Sequence, residues 1–173
     1  MSRREPAKLR RGTPPISLRA ALLVLLLWSL PSARSLAQPA PDFTLESGQS
    51  LVALSHQQWV YLDFWASWCG PCRYSFPFMN TLQAELGPQG LAIIAVNVDV
   101  EPADALPFLE KYPAQFPIHY DPDGKIAEAY AVPGMPTSYL IHQGQIIERH
   151  IGFRASQAEE LKAAIAQHLL KDE

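Results

Sequence analysis

Residues 59–72 read WVYLDFWASWCGPC, and the way that stretch divides decides the fold. Trp59 to Trp65 is apolar except for Asp63. It is too continuous for a half-exposed strand and too short for a buried helix, so it reads as a buried central strand. Pro71 suits a helix start, because its ring fixes a helical φ and its missing N–H is one the first turn does not need. The helix then runs through Phe78, Met79 and Leu82 to Leu86, with Pro77 expected to kink it and Gly87-Pro88 to stop it. Cys69 and Cys72 fall where strand hands over to helix.

Working outward, Leu91 to Val98 (LAIIAVNV) reads as a second buried strand. Strand, helix, strand then makes a parallel, right-handed crossover. Downstream, Ala103 to Tyr112 reads as a helix and Ile118 to Tyr120 as a short strand. Lys125 to Tyr130 reads as a helical turn behind the Asp121-Pro122-Asp123-Gly124 turn. Thr137 to Ile141 and Gln145 to Ile151 alternate as two strands around Gln143-Gly144, and a last helix takes Ser156 and Glu159 as its caps. Upstream, Phe43 to Leu45 and Ser50 to Ala53 read as a short hairpin around Gly48. The class is α/β: a central mixed β-sheet flanked by helices, with an added N-terminal β-hairpin and a central insertion.

Charge divides the chain of 173 residues in two. Seven of its 14 lysines and arginines lie at or before Ala37, against one acid, Glu5. This basic start leads into Ala20 to Leu30 (AALLVLLLWSL), then Pro31 and the small-residue site Ser35-Leu36-Ala37. That order is the pattern of an export signal, and its apolar core falls short of the roughly 18 residues of a membrane span. Residues 1–37 are therefore expected to be a signal peptide removed after Ala37, the rival being an uncleaved anchor that tethers the protein to the membrane. Residues 38–173 would then form one domain with seven basic and 16 acidic residues, a net charge of −9. A surface so acidic does not suit nucleic acid, whose phosphates require a basic face.

The two cysteines of the chain both sit in WCGPC. A structural bridge usually closes a long loop, whereas two intervening residues at a helix start give an accessible pair suited to thiol–disulfide exchange. Metal binding is the rival reading. It would want further Cys or His ligands at regular spacing, and His56, His119, His142, His150 and His168 are scattered. No metal site and no cofactor is expected. Cys69 precedes the helix, so its sulfur can face unpaired N–H groups and the positive end of the helix dipole, both of which favour thiolate. Cys69 is the candidate nucleophile, and Cys72, about one turn on, the resolving thiol.

WCGPC after YLDFW, followed by Gly134-Met135-Pro136-Thr137 before a strand, resembles the thioredoxin superfamily across residues 38–173. The export pattern, the VNVD strand end and the inserted Glu101 to Tyr120 segment resemble more closely its TlpA and ResA branch of exported thiol-disulfide oxidoreductases. The resemblance implies a thioredoxin fold and a place in the periplasm or another extracytoplasmic bacterial compartment. It implies that Asp63, six residues before Cys69, lies beneath the dithiol as the base that deprotonates Cys72. Many members of the branch carry an acid just after the second strand. Val100 stands there in this chain, flanked by Asp99 and Glu101, so the role rests on Asp63 alone. The resemblance also implies a cis bond before Pro136, with Met135, Pro136 and Thr137 meeting substrate backbone, and Trp68, Gly70 and Pro71 flanking the exposed sulfur.

Gly70-Pro71 between the cysteines resembles reducing thioredoxins, near about −270 mV, rather than strong oxidants near about −120 mV. The expected activity is reduction of protein disulfides, for example in cytochrome c maturation, with electrons from a membrane-embedded donor of the DsbD or CcdA type. Two other readings stay open: copper handling through Cys69, Cys72 and Met135 as soft ligands, and a docking module whose dithiol is incidental.

Overall fold

The computed structural model describes residues 38–171. The export segment expected over residues 1–37 lies outside them. A six-stranded mixed sheet forms the centre, in the order β1-β6-β5-β2-β3-β4. Its strands are β1 (Gln38–Pro39), β2 (Trp59–Trp65), β3 (Leu91–Asn97), β4 (Ile118–Tyr120), β5 (Thr137–His142) and β6 (Gln145–Ile151). β2, β3 and β4 run parallel, while β5 is antiparallel to β2 and to β6, and β6 to β1. The helices are α1 (Leu51–Ser55), α2 (Cys72–Leu86), α3 (Ala105–Lys111), α4 (Lys125–Ala129) and α5 (Ala158–Leu169). Among the described residues, no helix is long and apolar enough to cross a membrane.

Every residue of β2 is buried, as its continuous apolar run requires. Successive side chains of a strand point to opposite faces, so β2 supplies two cores. Trp59, Tyr61 and Trp65 join one core with Cys69, Cys72, Phe76, Met79 and Leu82, beneath α2, α3 and α5. Val60, Leu62 and Phe64 join the other with Leu51, Leu54, Tyr130 and Tyr139. Phe76 has no exposed surface and sets its ring against Trp65, Phe108 and Phe116 at centroid distances of 4.7, 4.9 and 5.5 Å. The α2 helix carries Pro77 in its interior and continues to Leu86. Beyond it, Gly90 takes a φ of 94°, which lets the chain turn sharply into β3.

Beyond shifts of one residue at the ends of β3, β5 and α4, three details differ from the sequence reading. The N-terminal hairpin reduces to one bridge, Thr44 to Ser50, and residues 51–55 are helical. Ser50 Oγ accepts from the Ala53 N–H at 3.1 Å as a helix cap, and Leu51 and Leu54 bury one helical face. The helix expected over 103–112 begins as a 3-10 turn, Pro102–Asp104, before α3 proper. Ser156 does not cap the last helix: it sits inside a 3-10 turn (Ala155–Gln157), and Gln157 takes the cap position without a side-chain bond. Glu159 and Glu160 in the first turn of α5 still complement its dipole.

Candidate functional site

The site stands where β2 ends. Ala66, Ser67 and Trp68 lead from the strand into a turn in which the Cys69 N–H donates to the Ala66 carbonyl at 3.1 Å. α2 begins at Cys72 with Pro71 as its cap and no side chain satisfying its first amides. One of them, the Cys72 N–H, lies within hydrogen-bond reach of Cys69, at 3.2 Å from its Sγ and 3.2 Å from its carbonyl oxygen. Cys69 and Cys72 are joined as a disulfide with their Cα atoms 5.4 Å apart. Both cysteines are buried, but unequally: Cys69 keeps 5% of its residue surface exposed and Cys72 none.

Exposed groups ring the Cys69 side. Trp68 is 70% exposed, Gly70 and Pro71 are exposed, and the Arg73 guanidinium lies 4.7 Å above the exposed ring of Tyr74. A Cβ built on Gly70 would meet nothing within 4 Å, so space alone does not dictate glycine there.

The Met135–Pro136 bond is cis. Thr137 opens β5 opposite Phe64 and Ile151, which brings Pro136 alongside the end of β2. The Thr137 hydroxyl donates to the Gly134 carbonyl at 2.6 Å, and the Gly152 N–H donates to the Pro136 carbonyl at 2.7 Å. Met135 is half-buried and packs on the core that contains both cysteines. Among the described residues, no group of three or more His, Cys, Asp or Glu side chains is placed to hold a metal ion.

Asp63 lies in β2 between Tyr61 and Trp65, so alternation directs its side chain to the same face as theirs, the face α2 covers. It is 2% exposed, and its Oδ2 has no hydrogen-bond partner. Burial raises its pKa well above the ordinary carboxylate value. A carboxyl whose proton burial holds more tightly than usual, on the face of the sheet that packs against both cysteines, is a proton donor when neutral and a strong acceptor once ionised.

One part of the site escaped the sequence reading. Ser67 is held by the buried carboxylate of Asp99, which Asn97 also contacts. The sequence signal for it is Asn97-x-Asp99 directly after an apolar strand, a spacing at which short polar side chains bind nearby backbone.

Residues 36–150 match the model of the AhpC/TSA family. The chain belongs to the AhpC/TSA family. It is 38% identical over 116 residues to the thiol-disulfide oxidoreductase ResA of Oceanobacillus iheyensis. That match covers 63% of this chain and 60% of the relative, so it spans about three fifths of that protein's length. The ResA of Geobacillus thermodenitrificans is 31% identical over 166 residues, which cover 88% of this chain and 92% of the relative. A crystal structure from Chlorobium tepidum, provisionally designated thiol:disulfide interchange protein DsbE, superposes with a TM-score of 0.72 at 44% identity. The superposition covers 77% of this chain and 96% of that one. This AhpC/TSA chain thus has the thioredoxin-like sheet and helices of its neighbours, with the cysteine pair at the same kind of strand-to-helix junction that the sequence indicated.

Proposed function

We propose that this chain is a thiol-disulfide oxidoreductase that reduces disulfides of proteins outside the cytoplasm. The observation that carries the reading is the unequal burial of the two cysteines at the start of α2, together with Asp63, a buried acid on the same core face whose Oδ2 lacks a hydrogen-bond partner. In the reduced protein, Cys69 is the less buried cysteine, and the Cys72 N–H and the positive end of the α2 dipole favour its thiolate. It attacks one sulfur of the substrate disulfide. A Cys69–substrate bond forms, the substrate S–S bond breaks, and the departing sulfur leaves as a thiolate and is protonated.

Cys72 then closes the cycle. Its thiol passes a proton to the Asp63 carboxylate, and the thiolate attacks Cys69 Sγ. The Cys69–Cys72 bond forms, the mixed disulfide breaks, and the substrate's second sulfur leaves. The substrate gains two electrons and the protein loses two. Trp68, Gly70 and Pro71 frame the attacking sulfur, while Met135, held by the cis bond to Pro136, offers backbone to an extended substrate segment; the Pro136 carbonyl already accepts from the Gly152 N–H, and Thr137 is buried in β5.

The protein needs recharging after each cycle, and a membrane-embedded dithiol donor of the DsbD or CcdA type meets that need. Residues 1–37, basic and then apolar, serve as the export signal or as a tether, and residues 38–173 as the catalytic domain. The disulfide form of apocytochrome c is the favoured substrate, and its thiols are the product.

The test is a trapping experiment. The reduced Cys72→Ser variant, mixed with a disulfide-bonded peptide, should accumulate a stable adduct on Cys69 detectable by mass. An adduct that forms as fast on Cys72 in the Cys69→Ser variant would overturn the assignment.

A further inference from the structure

The exchange steps above leave two buried acids unused, Asp99 and Asp121, and Asp99 is the one bonded to the turn that carries the dithiol. Asp99 is 3% exposed and stands two residues beyond the end of β3. Its Oδ2 accepts from the Ser67 N–H at 2.9 Å and from Asn97 Nδ2 at 2.8 Å, while its Oδ1 accepts from the Ser67 hydroxyl at 3.0 Å. The Asp99 N–H in turn donates to Asn97 Oδ1 at 3.2 Å. Both oxygens are therefore engaged, and they are aimed at Ser67, two residues before Cys69. Asp63 differs, because its Oδ2 has no hydrogen-bond partner.

We propose that Asp99 is a positioning residue for the dithiol turn: its carboxylate pins Ser67 and so fixes the backbone that presents Cys69 to Cys72. The proposal rests on the exchange reading above. β2 and β3 do not need this contact to stay together, since they pair from Trp59 with Leu91 to Trp65 with Asn97, and the Val98 N–H reaches the Trp65 carbonyl at 3.0 Å. What Asp99 adds lies beyond the strands, on the turn itself. In the oxidised protein the disulfide also staples that turn. Once the bond opens, the Ser67 contacts remain as the tie from the turn to β3, beside hydrogen bonds within the turn itself, Cys69 N–H to Ala66 and Cys72 N–H to the Cys69 carbonyl. Attack of Cys72 on a Cys69 mixed disulfide is an intramolecular step, whose rate depends on alignment of three sulfurs. Removing Asp99 would also strand the Ser67 N–H, its hydroxyl and the Asn97 amide without partners.

Stopped-flow mixing of reduced protein with oxidised glutathione separates the two steps, formation of the Cys69–glutathione disulfide and its closure by Cys72. Asp99→Ala should slow closure about 10- to 100-fold. Asp99→Asn, which keeps an acceptor oxygen for the Ser67 N–H, should recover most of that loss. Closure within about twofold of the parent in Asp99→Ala overturns the proposal, and so does equal slowing in both variants that tracks their loss of thermal stability. Where Asp99→Ala does not fold, Ser67→Ala and Asp99→Asn decide: slowed closure in Ser67→Ala supports the proposal, and parental closure in both overturns it. A parent protein that shows no closure phase overturns the exchange reading itself, and this proposal with it, before any Asp99 variant is made.

Discussion

Asp63 and Ala95 lie directly opposite one another across the parallel β2–β3 pair, so the buried acid meets a methyl group from its neighbouring strand rather than a cation. Burial is the cause of its raised pKa. A raised acid stabilises the fold fully below its ordinary, unfolded pKa, and that contribution is lost as pH rises towards the folded value. Asp63→Asn should therefore be more stable than the parent at neutral pH, with the advantage vanishing below about pH 4. Urea denaturation across pH 4–8 measures it. Over the window between the two pKa values the difference should grow by up to about 1.4 kcal/mol per pH unit. The same variant should slow closure of mixed disulfides by about 100-fold or more, as loss of a general base does.

Ala95→Lys supplies the missing cation. An ammonium beside Asp63 favours its charged form, so the folded pKa should fall and the pH at which closure reaches half its plateau should move to more acidic values. A closure profile that stays where the parent's lies would show that Asp63 does not govern that step.

Pro71 stands beside the nucleophile at the helix start. Pro71→His places an imidazole there whose charged form favours the Cys69 thiolate and hence the reduced protein. The reduction potential should rise by at least about 30 mV, equivalent to a tenfold change in the exchange constant. Equilibration with glutathione measures the shift.

Trp68 and Phe76 separate docking from folding. Trp68, 70% exposed, can go to Ala with a stability change within about 0.5 kcal/mol, while KM for a disulfide-bonded protein should rise. Phe76→Ala opens a cavity among Trp65, Phe108 and Phe116 and should cost about 3–5 kcal/mol in urea denaturation.

Much of this architecture was legible in residues 59–72, because a buried strand, a proline-started helix and a dithiol between them each leave a strong local pattern. β2, β4 and β6 have the boundaries that periodicity gave, and β3 and β5 differ by one residue at the C-terminal end. Residues 51–55 were misread because Leu51-Val52-Ala53 is apolar enough for a strand. The capping by Ser50 and the burial of Leu51 with Leu54 outweigh that preference. Ser156 was misread because a capping pattern does not say whether a 3-10 turn will precede the helix. The Asp99–Ser67 contact joins residues 32 positions apart, and no local pattern carries such a pairing. Asp63 was legible as an oddity, a lone charge in an apolar run, but its partnerless Oδ2 belongs to the packing around it.

The measurement that tests the central claim most directly is the reduction potential of the Cys69–Cys72 pair in residues 38–173, read by tryptophan fluorescence in glutathione and dithiothreitol buffers. A reductase should give a value below about −240 mV, close to the thioredoxins whose Gly-Pro spacing it shares. A value above about −180 mV would contradict the account and make the protein an oxidant or isomerase.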